Sequence, residues 1–529
     1  MLGPTRLRFA TKVGATARGQ TDEPIRLCSA NIPLMSGVND LQLPKYDRSA
    51  IIPGVVNLGL RDFHRVHNAV YFDKLLNSSV NKSWGIISVA LSDPQRKLVP
   101  EMKVQNGMYT VVSKEGKGLS NFRVIGSILD VLNGIEDSNR VADIIASNST
   151  RMVTLTLKES NYFFTPDFSR LDVNDSHVRA DMLAGSNKTQ RTPVGMLVLG
   201  LFRRYKSKGT PITILSCENL MRNGEIARMM VEQYAVLRYP LNPDFHRWLS
   251  ANVFYPNSVC DRICLTDSSN DKVAMQQLFG IRDNALLTTE SFSEWIVEKW
   301  MGNKPEGMKD AGIKLVASTV PYENLKIRLN YGTRLSVAIV SKALGHTTFE
   351  TALKDPTVLK FAKRYMDEVS HGLGQLPTDI DLSSYKKHMI ERMSTDELNY
   401  VTHRVVESAS KKARVDWQPV LDSLPTDASA SPMMSHAIAT WAHLLAHSPM
   451  CKSDHFPIID VNSARLQPLA KEMIGSVHTP NAESTATKFV AEVFGPDSQF
   501  KPLLVKNIIS SLKGMEKLGI AGELSRLVN

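Results

Sequence analysis

Between residues 53 and 263, short apolar runs alternate with stretches in which apolar residues return every third or fourth position. The runs at 54–60, 84–91, 108–112, 152–157 and 211–216 have the length and composition of buried strands, and the segments 192–205 and 225–234 have helical periodicity. That alternation predicts a sheet with crossover helices, an α/β domain. After about residue 315 the strand signals fade. Segments 325–344, 357–372, 383–392, 396–412, 435–446 and 500–518 return to one face about every 3.6 residues, which predicts an all-helical remainder. The stretch SLPTDASASP at 423–432 reads as a loop or hinge, and the chain shows no internal repeat or low-complexity tract.

Length agrees with this division, because 529 residues exceed the roughly 250–300 at which one hydrophobic core stops growing. The expected boundaries are a leading segment at 1–21, the α/β domain at 22–316 and the helical domain at 317–529. No apolar run approaches the roughly 18 residues of a membrane span. The five cysteines (Cys28, Cys217, Cys260, Cys264, Cys451) are too scattered for a disulfide framework, and a reducing compartment fits them best. Cys260 and Cys264 lack a second Cys/His pair, so no metal site is expected.

The net charge of +10 changes the picture only at the chain's start. Arg6, Arg8, Lys12 and Arg18 all precede the first acid, Asp22, and without them the charge is +6, a mild bias that reads as a solvated surface rather than a phosphate-binding face. The leading segment is basic, acid-free and without a long apolar stretch, which suits a mitochondrial transit peptide better than a secretory signal; the alternative is a basic tail. The expected location is the mitochondrial matrix.

The candidate chemistry lies in a series of motifs. The first strand ends at Gly59 and runs into LRDFHRVHNAVYFDKLL at 60–76, followed by QNGMYT at 105–110, TLTLKESNY at 154–162, SCENLMRNG at 216–224, FYPNSVCDRI at 254–263 and TESFSEW at 289–295. These segments, with Phe63, His64, Arg65, His67 and Ala69 in the first, resemble in order the signature stretches of the polyol-specific long-chain dehydrogenases, the mannitol 2-dehydrogenase type. In the C-terminal half, Lys326, the run Gly345-His346-Thr347-Thr348, Tyr365-Met366-Asp367-Glu368 and Ile390-Glu391-Arg392-Met393 are similar to that family's helical domain.

The resemblance implies an α/β Rossmann-like N-terminal domain followed by a mainly α-helical C-terminal domain, with a nicotinamide cofactor over the turn formed by Gly59, Phe63, His64 and Arg65. The second glycine of such a turn admits the pyrophosphate to the backbone. Here that position is Arg61, and the next, usually small, is Asp62, whose carboxylate would face the phosphates. Bulk and like charge both oppose ordinary binding. The resemblance also implies a lysine base with an Asn five residues on and a His three beyond, on neighbouring turns of one helix. Lys326 is present, but the Asn position is Tyr331 and the His position is Arg334; a one-residue slip offers Asn330 with Thr333 instead and rotates the helix by about 100°. Tyr331 could still donate a hydrogen bond and Arg334 could stabilise negative charge, although a cation there depresses the lysine pKa and fills substrate space. Asn219, Asn223, Asp261, Arg262 and Lys411 would line the substrate pocket, or else act as buried structural partners.

These losses lead to a first expectation of a catalytically degenerate protein that serves as a structural or interaction subunit in mitochondria, with no cofactor, with protein partners in a large assembly such as the mitochondrial ribosome, and with RNA contact left open. The alternative is an active NAD(P)-dependent polyol or sugar-acid dehydrogenase. A third reading is a module that binds a polyol without turnover through Asn219, Asn223 and Asp261.

Overall fold

The computed structural model describes residues 23–78, 82–116, 118–165, 170–184, 190–265, 267–299, 307–395, 398, 400–423, 431–448, 460–495 and 502–529. The basic leading segment, Cys451 and residues 424–430 of the expected hinge lie outside them. The chain forms two compact units that meet in sequence at Thr319 and Val320.

The first unit is built on six parallel strands: β1 (Pro53–Leu58), β2 (Gly85–Ala90), β3 (Ile128–Asn133), β4 (Met152–Leu155), β5 (Ile212–Ser216) and β6 (Val253–Phe254). Their order across the sheet is β3-β2-β1-β4-β5-β6, the doubly wound Rossmann arrangement. Alternation sorts side chains into two cores: Val55, Ile86 and Ala90 join one, while Val56, Leu58, Ile87 and Val89 join the other. Both faces are thus covered, as a parallel sheet requires. The order reverses between β1 and β4, paired from Val55–Met152 to Leu58–Leu155, and the crevice beyond their carboxyl ends is where sheets of this kind receive ligands.

One expected strand has a different place. The run at 108–112 forms Tyr109–Gly116, which pairs antiparallel with Leu119–Ile125 and parallel with Leu287–Glu290 in a separate sheet. The third strand of the main sheet is Ile128–Asn133 instead, whose apolar positions 128, 129, 131 and 132 fit a helix as readily as a strand. Pairing with β2, rather than pattern, makes it extended.

The second unit is mainly helical. Pro432–His447 is buried along most of its length and carries Trp441 edge-on to both Trp417 and Phe489. Two segments, Lys326–Gly332 and Ala413–Trp417, are π-helical. Gly332 lets the first pack closely on the helix Pro356–Ser370, since a Cβ there would stand 2.8 Å from the Tyr365 hydroxyl. Among the described residues no helix is long and apolar enough to cross a membrane.

Candidate active site

The turn after β1 forms the floor of the crevice. Gly59 has φ +114°, and a Cβ on it would lie 2.2 Å from the Thr156 carbonyl oxygen, so the position demands glycine. Gly59 N–H and Leu60 N–H both donate to Val89 O, and the Thr156 hydroxyl donates to Gly59 O at 2.6 Å. Arg61, by contrast, has an ordinary extended backbone at φ −86°, ψ 158°. Its N–H donates to Gly59 O at 2.7 Å, which closes the turn and leaves that amide committed. Its side chain reaches from β1 to the segment after β4, where Nη1 donates to Leu157 O at 2.6 Å.

The α1 helix (Asp62–Val66) follows directly. The expected exposed charge of Asp62 is compensated: Arg65 Nη2 lies 2.7 Å from its carboxylate, and Arg65 Nη1 donates to Ala285 O. Phe63 stacks on His67 with ring centroids 5.0 Å apart. His64 is fully buried, and burial pushes its ring down to about 3, which keeps it neutral.

Glu218, which the sequence analysis did not single out, forms the opposite wall. It accepts from Leu157 N–H, the Ser216 hydroxyl and, at 2.7 Å, Tyr162 Oη. Burial raises its carboxyl above the ordinary range, while these hydrogen bonds and the charge of Arg61 oppose the rise. An acid between Cys217 and Asn219 in SCENLMRNG was the available signal, though its partners come from distant parts of the chain.

The remaining motif residues fall into two groups. Asn223 donates to Glu218 O and Ser258 O and accepts from Ser258 N–H at 2.9 Å, so its amide joins the end of β5 to the strand Ser258–Asp261. Arg262 donates to Val66 O, Glu290 O and the Ser113 hydroxyl, and burial lowers it to about 10. Gln105 of QNGMYT donates to the buried carboxylate of Asp283, which also accepts from Thr110 N–H and Ala285 N–H. These three side chains are occupied with backbone and neighbouring side chains. Asp261 is buried, whereas Asn219 and, in the second unit, Lys411 are exposed. Among the described residues no three His, Cys, Asp or Glu side chains cluster as metal ligands.

In the second unit the lysine segment is a π-helix rather than the expected α-helix. A π-turn bonds residues five apart and holds more residues per turn than an α-helix, so positions five apart come nearer to one face. The Lys326 Nζ accordingly lies 5.0 Å from the centroid of the Tyr331 ring, and Arg334, one α-turn further, places Cζ 4.6 Å from the same ring. Lys326 and Arg334 of the ungapped set thus share the Tyr331 ring. Lys326 is 6% exposed; Tyr331 and Arg334 are half-buried. Arg334 also lies 5.7 Å from the Tyr400 ring, which stacks on Phe349. The set offers a buried ammonium, a phenol and a guanidinium in contact: one group able to take a proton when neutral, one able to donate a hydrogen bond, and one fixed positive charge.

Gly59 keeps the tight turn, but the amide at position 61 is turned inward, so at that position a diphosphate would meet the Arg61 side chain rather than a backbone donor. The donor set fits with that one change.

Comparisons with known proteins agree with the architecture along most of the chain. The model of the mannitol dehydrogenase Rossmann domain matches residues 53–308, and that of the mannitol dehydrogenase C-terminal domain matches 318–515. The mannitol 2-dehydrogenase of Aspergillus terreus is 30% identical over 396 residues, 74% of this chain and 78% of that protein. That of Emericella nidulans is 27% identical over 513 residues, 96% of this chain and all of the relative. Among solved structures, Pseudomonas fluorescens mannitol 2-dehydrogenase in ternary complex with NAD and D-mannitol has a TM-score of 0.83 at 25% identity, covering 95% of this chain and 99% of that one. With both of its domain models matched and such a relative in hand, the chain belongs to the mannitol dehydrogenase family.

Proposed function

We propose that the chain is an NAD(P)-dependent oxidoreductase acting on a polyol or sugar acid, with the proton-transfer set of its relatives rebuilt around Lys326, Tyr331 and Arg334. The observation that carries this reading is the buried Lys326 ammonium held against the Tyr331 ring by the π-turn. Similarity over the whole chain to an enzyme solved with NAD and D-mannitol supports it. A bound nicotinamide supplies the hydride acceptor. Lys326, in its neutral form, takes the substrate hydroxyl proton; Tyr331 Oη donates a hydrogen bond to the developing oxyanion where the relatives use an amide, and the Arg334 charge stabilises the same oxygen.

The test is a fluorescence titration of the full chain with NADH and NADPH, followed by a screen of polyols and sugar acids. We expect saturable binding in the micromolar range, and a turnover that falls about 10²-fold or more in Lys326→Met and measurably in Tyr331→Phe. Absence of binding up to millimolar cofactor refutes the proposal.

A second reading is favoured by one observation, the commitment of the Arg61 amide to Gly59 O. On that reading the fold is catalytically silent and serves as an interaction subunit, in mitochondria if the basic leader is a transit peptide, within an assembly such as the mitochondrial ribosome and with RNA contact open. Co-migration with a high-mass particle, combined with no cofactor binding, supports this reading over the first.

A further inference from the structure

Three arginines surround the turn after β1, and they are held differently. Arg65 is fixed by the Asp62 carboxylate and Ala285 O. Arg262 is fixed by Val66 O, Glu290 O and the Ser113 hydroxyl. Arg61 is hydrogen-bonded to a neutral carbonyl, Leu157 O, with the Glu218 carboxyl near enough to feel its charge, at the mouth between β1 and β4, where a nucleotide's diphosphate crosses a sheet of this topology. A guanidinium exchanges a carbonyl for a phosphate favourably, because hydrogen bonds between ionised partners are roughly twice as strong and the fork matches phosphate oxygens in pairs. The charge of Asp62 is compensated during the exchange, since it is already paired with Arg65. The backbone offers no competing donor at this position, because Arg61 N–H is bonded to Gly59 O.

We infer that Arg61 is a diphosphate-binding residue of this chain: its guanidinium leaves Leu157 O and grips the diphosphate of a bound dinucleotide, replacing the backbone donor that a glycine at this position would expose. The inference deepens the proposed function and rests on it. It makes an unusual demand, that restoring glycine at position 61 weakens cofactor binding rather than repairing it.

The experiment compares the full-length protein with Arg61→Gly, Arg61→Gln and Arg61→Lys in equilibrium titrations with NADH, ADP and adenosine at low and high salt, with melting temperatures to establish folding. We expect Arg61→Gly and Arg61→Gln to weaken NADH and ADP about tenfold or more, to flatten the salt dependence, and to leave adenosine unchanged, while Arg61→Lys recovers part of the loss. NADH binding that is equal or tighter in Arg61→Gly overturns the inference and makes Arg61 a plug of the crevice. No NADH binding by wild type, with none gained in Arg61→Gly, refutes the proposed function itself and the inference with it; no binding by wild type with binding gained in Arg61→Gly overturns the inference alone and leaves the crevice competent but closed.

Discussion

The amide of Asn223 offers a way to separate a ligand-binding residue from a structural one. It donates to Ser258 O at 2.8 Å and to Glu218 O at 3.0 Å, and accepts from Ser258 N–H at 2.9 Å, with Ser258 itself 2% exposed. Asn223→Ala removes all three bonds and leaves both backbone groups of a buried strand residue unpaired at that point. A buried unsatisfied group costs about 1–3 kcal/mol, so the two at Ser258 imply about 2–4 kcal/mol after partial relaxation. For a domain of this size that corresponds to a fall of roughly 3–6 °C in the melting transition. Differential scanning fluorimetry with and without NADH and candidate polyols measures it. The structural reading requires the fall without any ligand present. A melting transition within about 1 °C of wild type, together with lost polyol binding, refutes it and returns Asn223 to the substrate pocket.

Further predictions concern other points of the fold. Gly59→Ala sets a Cβ 2.2 Å from Thr156 O at φ +114° and should lower stability by more than about 3 kcal/mol or abolish soluble expression; a normal melt contradicts the turn described. Burial raises the Glu368 carboxyl to about 8, against hydrogen bonds from Met433 N–H and Met434 N–H. The folded state therefore holds a proton that the unfolded chain releases near its ordinary value of 4.5, so the associated stability is full below that pH and is lost as pH rises toward about 8. Urea midpoints measured from pH 5 to 9 should decline in wild type and decline less in Glu368→Gln; parallel curves for the two proteins contradict this assignment.

The sequence by itself determined the fold class and the family. Strand runs such as those at β1, β2, β4 and β5 are short, apolar and bounded by turns, and the family motifs recur in order, so both signals are local and survive without neighbours. The losses at positions 61, 62, 331 and 334 were equally legible, because they are substitutions within recognisable motifs. Only the tertiary structure decided which partners the motif residues take. Arg65, Asn223 and Arg262 find their partners at Ala285, Ser258, Val66 and Glu290, and no spacing in the chain announces such pairs. The third strand was likewise settled by β2 beside it, and the Asp62 charge by Arg65. The π-turn is the sharpest case. With 3.6 residues per turn, Lys326 and Tyr331 would diverge around the helix; the close packing at Gly332 accompanies a wider turn that brings residues five apart nearer to one face. Helical periodicity is a property of sequence, but the pitch that brings a lysine onto a tyrosine ring is chosen by what the helix packs against.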